Sequence, residues 1–250
     1  VRASLAGATL STATTQNNAT TAATWNNTYS ATAAPVAPRD IDWTSLTAAN
    51  GEVAGWLVVE GTTISLPVVA EKSSCPTWWL SHDLWGNVNS MGWPYLDARC
   101  ATSTSSATSA TTADGSVSST HNGATTSSNT TLRVVYGHHL WEQSYGFSPL
   151  TQLTTASALA ATAGTRWITS SSTTYYQPLC ALNVPATYEP LCNLPAAPTS
   201  AWLQRLASDA HTTSSQVNTL IANARDVLIL ITCNSLMPGA PRCAVVYIAL

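Results

Sequence analysis

Three side chains of complementary chemistry stand where the sequence changes from strand-like to turn-like: Cys233, Arg242 and His138. A thiolate is a nucleophile, an imidazole carries protons near neutral pH, and a guanidinium is a fixed cation with a planar fork of donors. These are the parts that acyl transfer through a thioester requires. Cys233 follows the apolar run Val227 to Ile231, and Arg242 opens the next such run, Ala244 to Leu250. If the two runs pair as antiparallel strands, thiol and guanidinium come side by side at one end of a sheet. His138 follows Leu132-Arg133-Val134-Val135-Tyr136 in the same manner. Each residue also has a plainer reading when taken alone. A free cysteine packs as a small hydrophobe, a strand-end arginine is a solvated charge, and a lone histidine is structural.

The elements that must position these residues are mostly strands. Val53 to Val59 is a β-branched and aromatic run bounded by Asn50-Gly51 and Gly61-Thr62. Ile64 to Val69 follows as a strand that Pro67 assigns to an edge or a bulge. Trp93 to Ala98 and Leu132 to Tyr136 are further strands, and Trp167 to Leu182 reads as one or two more. Pro149 to Ala163 is helix-permissive, and Trp202, Leu203, Leu206 and Ala210 recur at helical spacing after Ser200, the expected N-cap. Many strands and few helices predict a mainly β chain, a closed or nearly closed β-barrel. Residues 1–38 are rich in Ala, Thr and Asn and end in Pro35-Val36-Ala37-Pro38, the composition of a linker or stalk. The folded domain therefore spans 39–250. Within it, residues 101–131 are almost pure Ser, Thr, Ala, Gly and Asn, which predicts a flexible surface insertion.

Composition removes several function classes. Charged residues make up only 8% of the chain, Lys72 is the one lysine, and the net charge is -3, so no basic groove for nucleic acid can form. No stretch is long and apolar enough to span a membrane as a helix. The six cysteines include no CxxC pair, so zinc is not indicated. An even cysteine count in an uncharged, Thr- and Ser-rich chain leans toward an extracytoplasmic location, with Cys180 and Cys192 as the expected disulfide. His82-Asp83 has the residue types of a metal pair but no second cluster beside it, so Asp83 is expected to cap a turn. Asp97 and Arg99 are expected to pair on a strand, and Trp78 and Trp79 to pack in the core. A serine hydrolase is disfavoured by the lack of a G-x-S-x-G elbow, and a papain-like enzyme by the order His before Cys.

The order of several segments resembles class B sortases. The resemblance begins with Asp42-Trp43-Thr44-Ser45-Leu46 and Asn50-Gly51-Glu52-Val53-Ala54-Gly55-Trp56-Leu57, then Gly61-Thr62 and Pro67-Val68-Val69. It continues through Leu80-Ser81-His82-Asp83, Tyr95-Leu96-Asp97-Ala98-Arg99, Val135-Tyr136-Gly137-His138 and Thr232-Cys233 with Arg242. It departs at Ile229 and Ile231, where the family's Thr-Leu-x-Thr-Cys has Thr and a variable residue. It departs again at His139, a position often held by Asn. The resemblance implies a sortase-like closed β-barrel of about eight strands with a few peripheral helices, with Cys233 as nucleophile, His138 rather than His139 as general acid/base, and Arg242 as the cation holding substrate or oxyanion. It implies a cysteine transpeptidase that needs no cofactor or metal. Its partners would be the sorting-signal peptide of secreted surface proteins and an amine acceptor from a cell-wall precursor or a pilin. Membrane contact would come only through an anchor not present in this chain. Two alternatives keep the same barrel: an endopeptidase in which water resolves the thioester, and an inactive surface-binding domain.

Overall fold

The structure, a computed structural model, describes residues 41–103, 130–140, 145–233 and 239–250. The expected stalk and most of the expected insertion lie outside the described residues. Eight strands close into a mixed barrel, running in spatial order β5 (Thr165–Ile168), β1 (Val53–Val58), β2 (Ser65–Ala70), β3 (Tyr95–Leu96), β4 (Thr131–Tyr136), β8 (Asp226–Cys233), β9 (Arg242–Ala249) and β6 (Thr173–Val184). Pairing of β5 with β6 completes the circle, and the two-residue β7 (Thr212–Thr213) adds outside β6. Among the described strands, only β2 with β3 and β4 with β8 run parallel.

Side-chain alternation explains the apolar run at the end of the chain. Leu228 and Leu230 face the barrel interior, and Val227, Ile229 and Ile231 face outward under covering helices and turns, so all five are at most 3% exposed. A strand covered on both faces has no reason to alternate. A second apolar cluster lies outside the barrel, where Ile41 and, from α1 (Trp43–Ala49), Leu46 pack with Trp56, Val69, Trp79 and Tyr95. Asp42 starts that helix by accepting from the Ser45 N–H at 3.0 Å.

Several sequence expectations change in detail. Pro67 is not on an edge strand, because β2 has β1 on one side and β3 on the other. β3 reaches only Val69 and Ala70, however, so beyond β1 the Pro67 position has no strand partner, and the Trp93 indole donates to its carbonyl at 2.9 Å. The strand expected over Trp93 to Ala98 shrinks to two residues. Asp97 accepts the Arg99 N–H at 2.8 Å and turns the chain into a 3-10 segment. Pro149 to Ala163 splits into a 3-10 turn and α2 (Ala156–Ala160), since Thr155 supplies a new N-cap by accepting from the Ala158 N–H. Thr199, not Ser200, caps α4 (Ser200–Ser208), whose Leu203 and Leu206 are buried. Two short helices, α3 (Glu189–Cys192) and α5 (Val217–Ala222), carry no clear periodicity in so few residues.

The expected Cys180–Cys192 disulfide is not formed. Cys180 is fully buried in the apolar core on β6, while Cys192 is exposed on α3 and its thiol donates to the Ala186 carbonyl. Burial also pushes the Cys243 thiol up to about 12.

Inside the barrel, at the end where β4 and β8 begin, the Arg133 guanidinium pairs with Asp226 and donates to the Tyr176 hydroxyl at 3.0 Å. The same guanidinium lies 5.7 Å from the Trp167 ring.

This interior makes the stability of the barrel testable. Asp226→Leu should destabilise the protein by ~3 kcal/mol in urea unfolding, because it strands a partly buried cation, and Arg133→Met in the same chain should recover much of that loss. Native alkylation near pH 8 should modify Cys192 and leave Cys180 and Cys243 unreacted until denaturant is added, with the same labelling whether or not reductant is present.

Candidate active site

β8 is the hub of the site. Its register against β9 pairs Cys233 with Arg242 directly, so both side chains leave the sheet on the same face. Arg242 Nη1 donates to the Cys233 sulfur. The other arginines seen in ion pairs, Arg99, Arg133, Arg166 and Arg205, are each tied to a carboxylate. Arg242 is turned instead toward a thiol.

The register of β4 against β8 runs from Thr131 opposite Asp226 to Tyr136 opposite Ile231. The Gly137 N–H continues it by donating to the Ile231 carbonyl at 3.0 Å. His138 therefore leaves β4 where Cys233 ends β8. Gly137 is glycine for a packing reason: a Cβ there would stand 2.7 Å from the Phe147 ring, which is fully buried beneath the turn. The Phe147 N–H then donates back to the His138 carbonyl at 3.2 Å.

The two adjacent imidazoles are held differently. His138 Nε2 lies 3.0 Å from the Leu80 carbonyl oxygen, and His139 Nδ1 lies 3.1 Å from the Cys233 carbonyl oxygen. His139 thus ties the end of β4 to the backbone of the candidate nucleophile. His138, Cys233 and Arg242 are all partly exposed.

Tyr95 and Tyr136 line the adjoining face, their rings 5.5 Å apart. Burial, with Glu71 and Asp97 nearby, pushes the Tyr95 hydroxyl up to about 12, partly offset by the positive charge of Arg242. Asp97 is 3% exposed and is held by Arg99 through Nε at 3.0 Å and Nη2 at 2.6 Å. The expected Asp97–Arg99 pair is present, though at the turn into the 3-10 segment and not on a strand, and Arg99 reaches further to the Cys192 carbonyl at 2.6 Å.

The remaining candidates have structural surroundings. The His82 ring stacks on Trp78 at 3.6 Å, and its Nδ1 lies 2.9 Å from the Trp78 carbonyl. Asp83 caps a turn by accepting from the Trp85 and Asn87 N–H groups. Trp79 is buried, whereas Trp78 is only partly covered and sits under Lys72 at 4.5 Å. No group of three metal-binding side chains occurs among the described residues, and no helix among them is long and apolar enough to cross a membrane.

Sequence reasoning missed the Leu80 carbonyl, the tether from His139 and the packing of Phe147. A backbone carbonyl leaves no mark on residue type, and only the single Phe in the chain hinted at a special position.

No family model matches the chain, and no curated protein matches it. Solved structures do. A mutant form of Clostridium perfringens sortase B aligns with a TM-score of 0.63 at 18% identity, covering 85% of this chain and 89% of that one. The Streptococcus pyogenes class B sortase involved in pilus biogenesis aligns at 0.61 and 17% identity, covering 84% and 99%. Staphylococcus aureus sortase B in its substrate complex aligns at 0.60 and 16%, covering 83% and 84%. At these identities the likeness is one of architecture, and the fold of this chain is the class B sortase fold.

Proposed function

We propose that this protein is a sortase-type cysteine transpeptidase acting through Cys233, His138 and Arg242. The observation that carries the reading is the Arg242 guanidinium turned onto the Cys233 sulfur at the strand end that His138 shares. Architecture alone does not imply chemistry, so the argument rests on this juxtaposition.

In the proposed cycle the Cys233 thiolate attacks the scissile carbonyl of a sorting-signal peptide. The carbonyl π pair moves to oxygen, and the Arg242 N–H donors, already aimed beside the sulfur, receive the developing oxyanion. Collapse breaks the C–N bond, and His138 gives its proton to the departing amine. The acyl group is left as a thioester on Cys233. An incoming amine then attacks that thioester, losing a proton to the imidazole, and the new amide forms as the thiolate leaves. The thioester conserves enough acyl activation for this exchange to need no ATP.

The amine acceptor is proposed to be a cell-wall precursor or a pilin, and the location extracytoplasmic, at the cell surface. Two structural neighbours support peptide and amine as the substrate types: Staphylococcus aureus sortase B has been solved with its substrate, and sortase B has been solved with triglycine.

Incubation with a panel of sorting-signal peptides should yield an acyl adduct on Cys233 by mass spectrometry, and Cys233→Ala should remove it without changing the melting temperature. Absence of an adduct across the panel would favour an inactive binding domain. Added triglycine should convert the adduct into a ligated peptide; release of free acid at a rate indifferent to triglycine would instead identify an endopeptidase. Arg242→Lys should lower kcat/KM by roughly 10²-fold, because an ammonium cannot present the planar fork. Full activity in that variant would remove Arg242 from the mechanism.

A further inference from the structure

We propose that the Leu80 carbonyl and Gly92 form the positioning element of His138, fixing its ring so that Nδ1 is the atom that exchanges protons. The inference rests on the proposed role of His138. A carbonyl oxygen only accepts, so the ring nitrogen facing Leu80 at 3.0 Å must carry a hydrogen. In the neutral imidazole that leaves the lone pair on Nδ1, and in the imidazolium it makes the Nδ1 proton the transferable one. A base oriented by a third group is the general arrangement of nucleophilic catalysis, and here the third group is a main-chain carbonyl.

Gly92 makes the arrangement possible. Its φ is +59°, and a Cβ there would lie 2.5 Å from the Trp79 carbonyl oxygen, 2.9 Å from His138 Cδ2 and 3.0 Å from the Leu80 carbonyl oxygen. A side chain at this position would enter the space occupied by the imidazole and by its acceptor at once. The surrounding chain is anchored strongly enough to hold such a contact. The Trp79 indole donates to the Ala70 carbonyl at 2.8 Å and the Trp93 indole to the Pro67 carbonyl at 2.9 Å, both on β2. The Trp93 N–H donates to the Trp79 carbonyl at 2.7 Å, closing the segment on itself. The catalytic imidazole is thereby referred to a second strand of the barrel as well as to its own.

Gly86 offers a matched control. It also has positive φ, +79°, but a Cβ there meets nothing within 4 Å. Gly92→Ala and Gly86→Ala therefore share the backbone cost of a left-handed alanine, and only the first intrudes on His138. Acylation by Gly92→Ala should fall ~10²-fold in kcat with KM little changed, with an altered pH profile, while Gly86→Ala keeps wild-type kinetics and loses only the melting temperature that a left-handed alanine costs. The second readout needs no substrate. Nitrogen-15 shifts of His138 in the unmodified protein should report the neutral ring as the Nε2–H tautomer, and Gly92→Ala should mix the tautomers. An Nδ1–H tautomer in the unmodified protein, or wild-type kinetics and tautomer in Gly92→Ala, would overturn the assignment. If the unmodified protein forms no acyl adduct, the proposed activity fails, and the tautomer still decides the positioning.

Discussion

Backbone pairing of β8 with a parallel neighbour on one side and an antiparallel neighbour on the other brings the end of β4, the end of β8 and the start of β9 to a single rim. Each ladder has a side-chain period of two, so a slip of one residue would turn Arg242 or His138 to the opposite face. The register is held by what the strands bury. Leu228, Leu230, Val245 and Tyr247 fill the interior, and Val227, Ile229, Ile231 and Val246 are covered outside. A one-residue shift would have to repack both layers.

The site is placed where that rigidity ends. The outer face of β8 is covered as far as Ile231, and Cys233 is the first outward residue that is partly open. Around it, scarce charge is used sparingly. Asp97 is neutralised by Arg99, Glu60 pairs with Arg166, and Asp226 with Arg133, which leaves the Arg242 guanidinium directed at sulfur. In a chain with 9 basic residues, one arginine held this way is a specific feature and not a sample of a charged surface. The tryptophans contribute through their N–H groups as well as their rings, since Trp79 and Trp93 attach the segment above His138 to β2.

The strands were legible where residues of one kind ran uninterrupted. Val227 to Ile231 and Leu132 to Tyr136 announce β8 and β4, and the positions just after them hold two of the candidate site residues, Cys233 and His138. Pro67 misled, because its missing N–H suits a strand open on one side, and the structure leaves that position without a partner on the β3 side only, inside a strand flanked by β1 and β3. Asp97 hid a strand end, since the same carboxylate that suits a paired charge also turns the backbone. The Cys180–Cys192 expectation failed because spacing in sequence says nothing about which face of β6 carries residue 180. The His138 surroundings were not readable at all: the acceptor is a carbonyl 58 residues away in sequence, and the residue that makes room for it is a glycine among 12.

The central claim is that nucleophile, proton carrier and cation act on one carbonyl group. A structure of the thiohemiacetal formed between Cys233 and a sorting-signal peptide aldehyde tests it most directly. The account predicts the hemiacetal oxygen within about 3 Å of an Arg242 donor, with His138 Nδ1 facing the reacting carbon. An adduct whose oxygen points away from Arg242, or an imidazole still out of reach of the bound peptide, would contradict it.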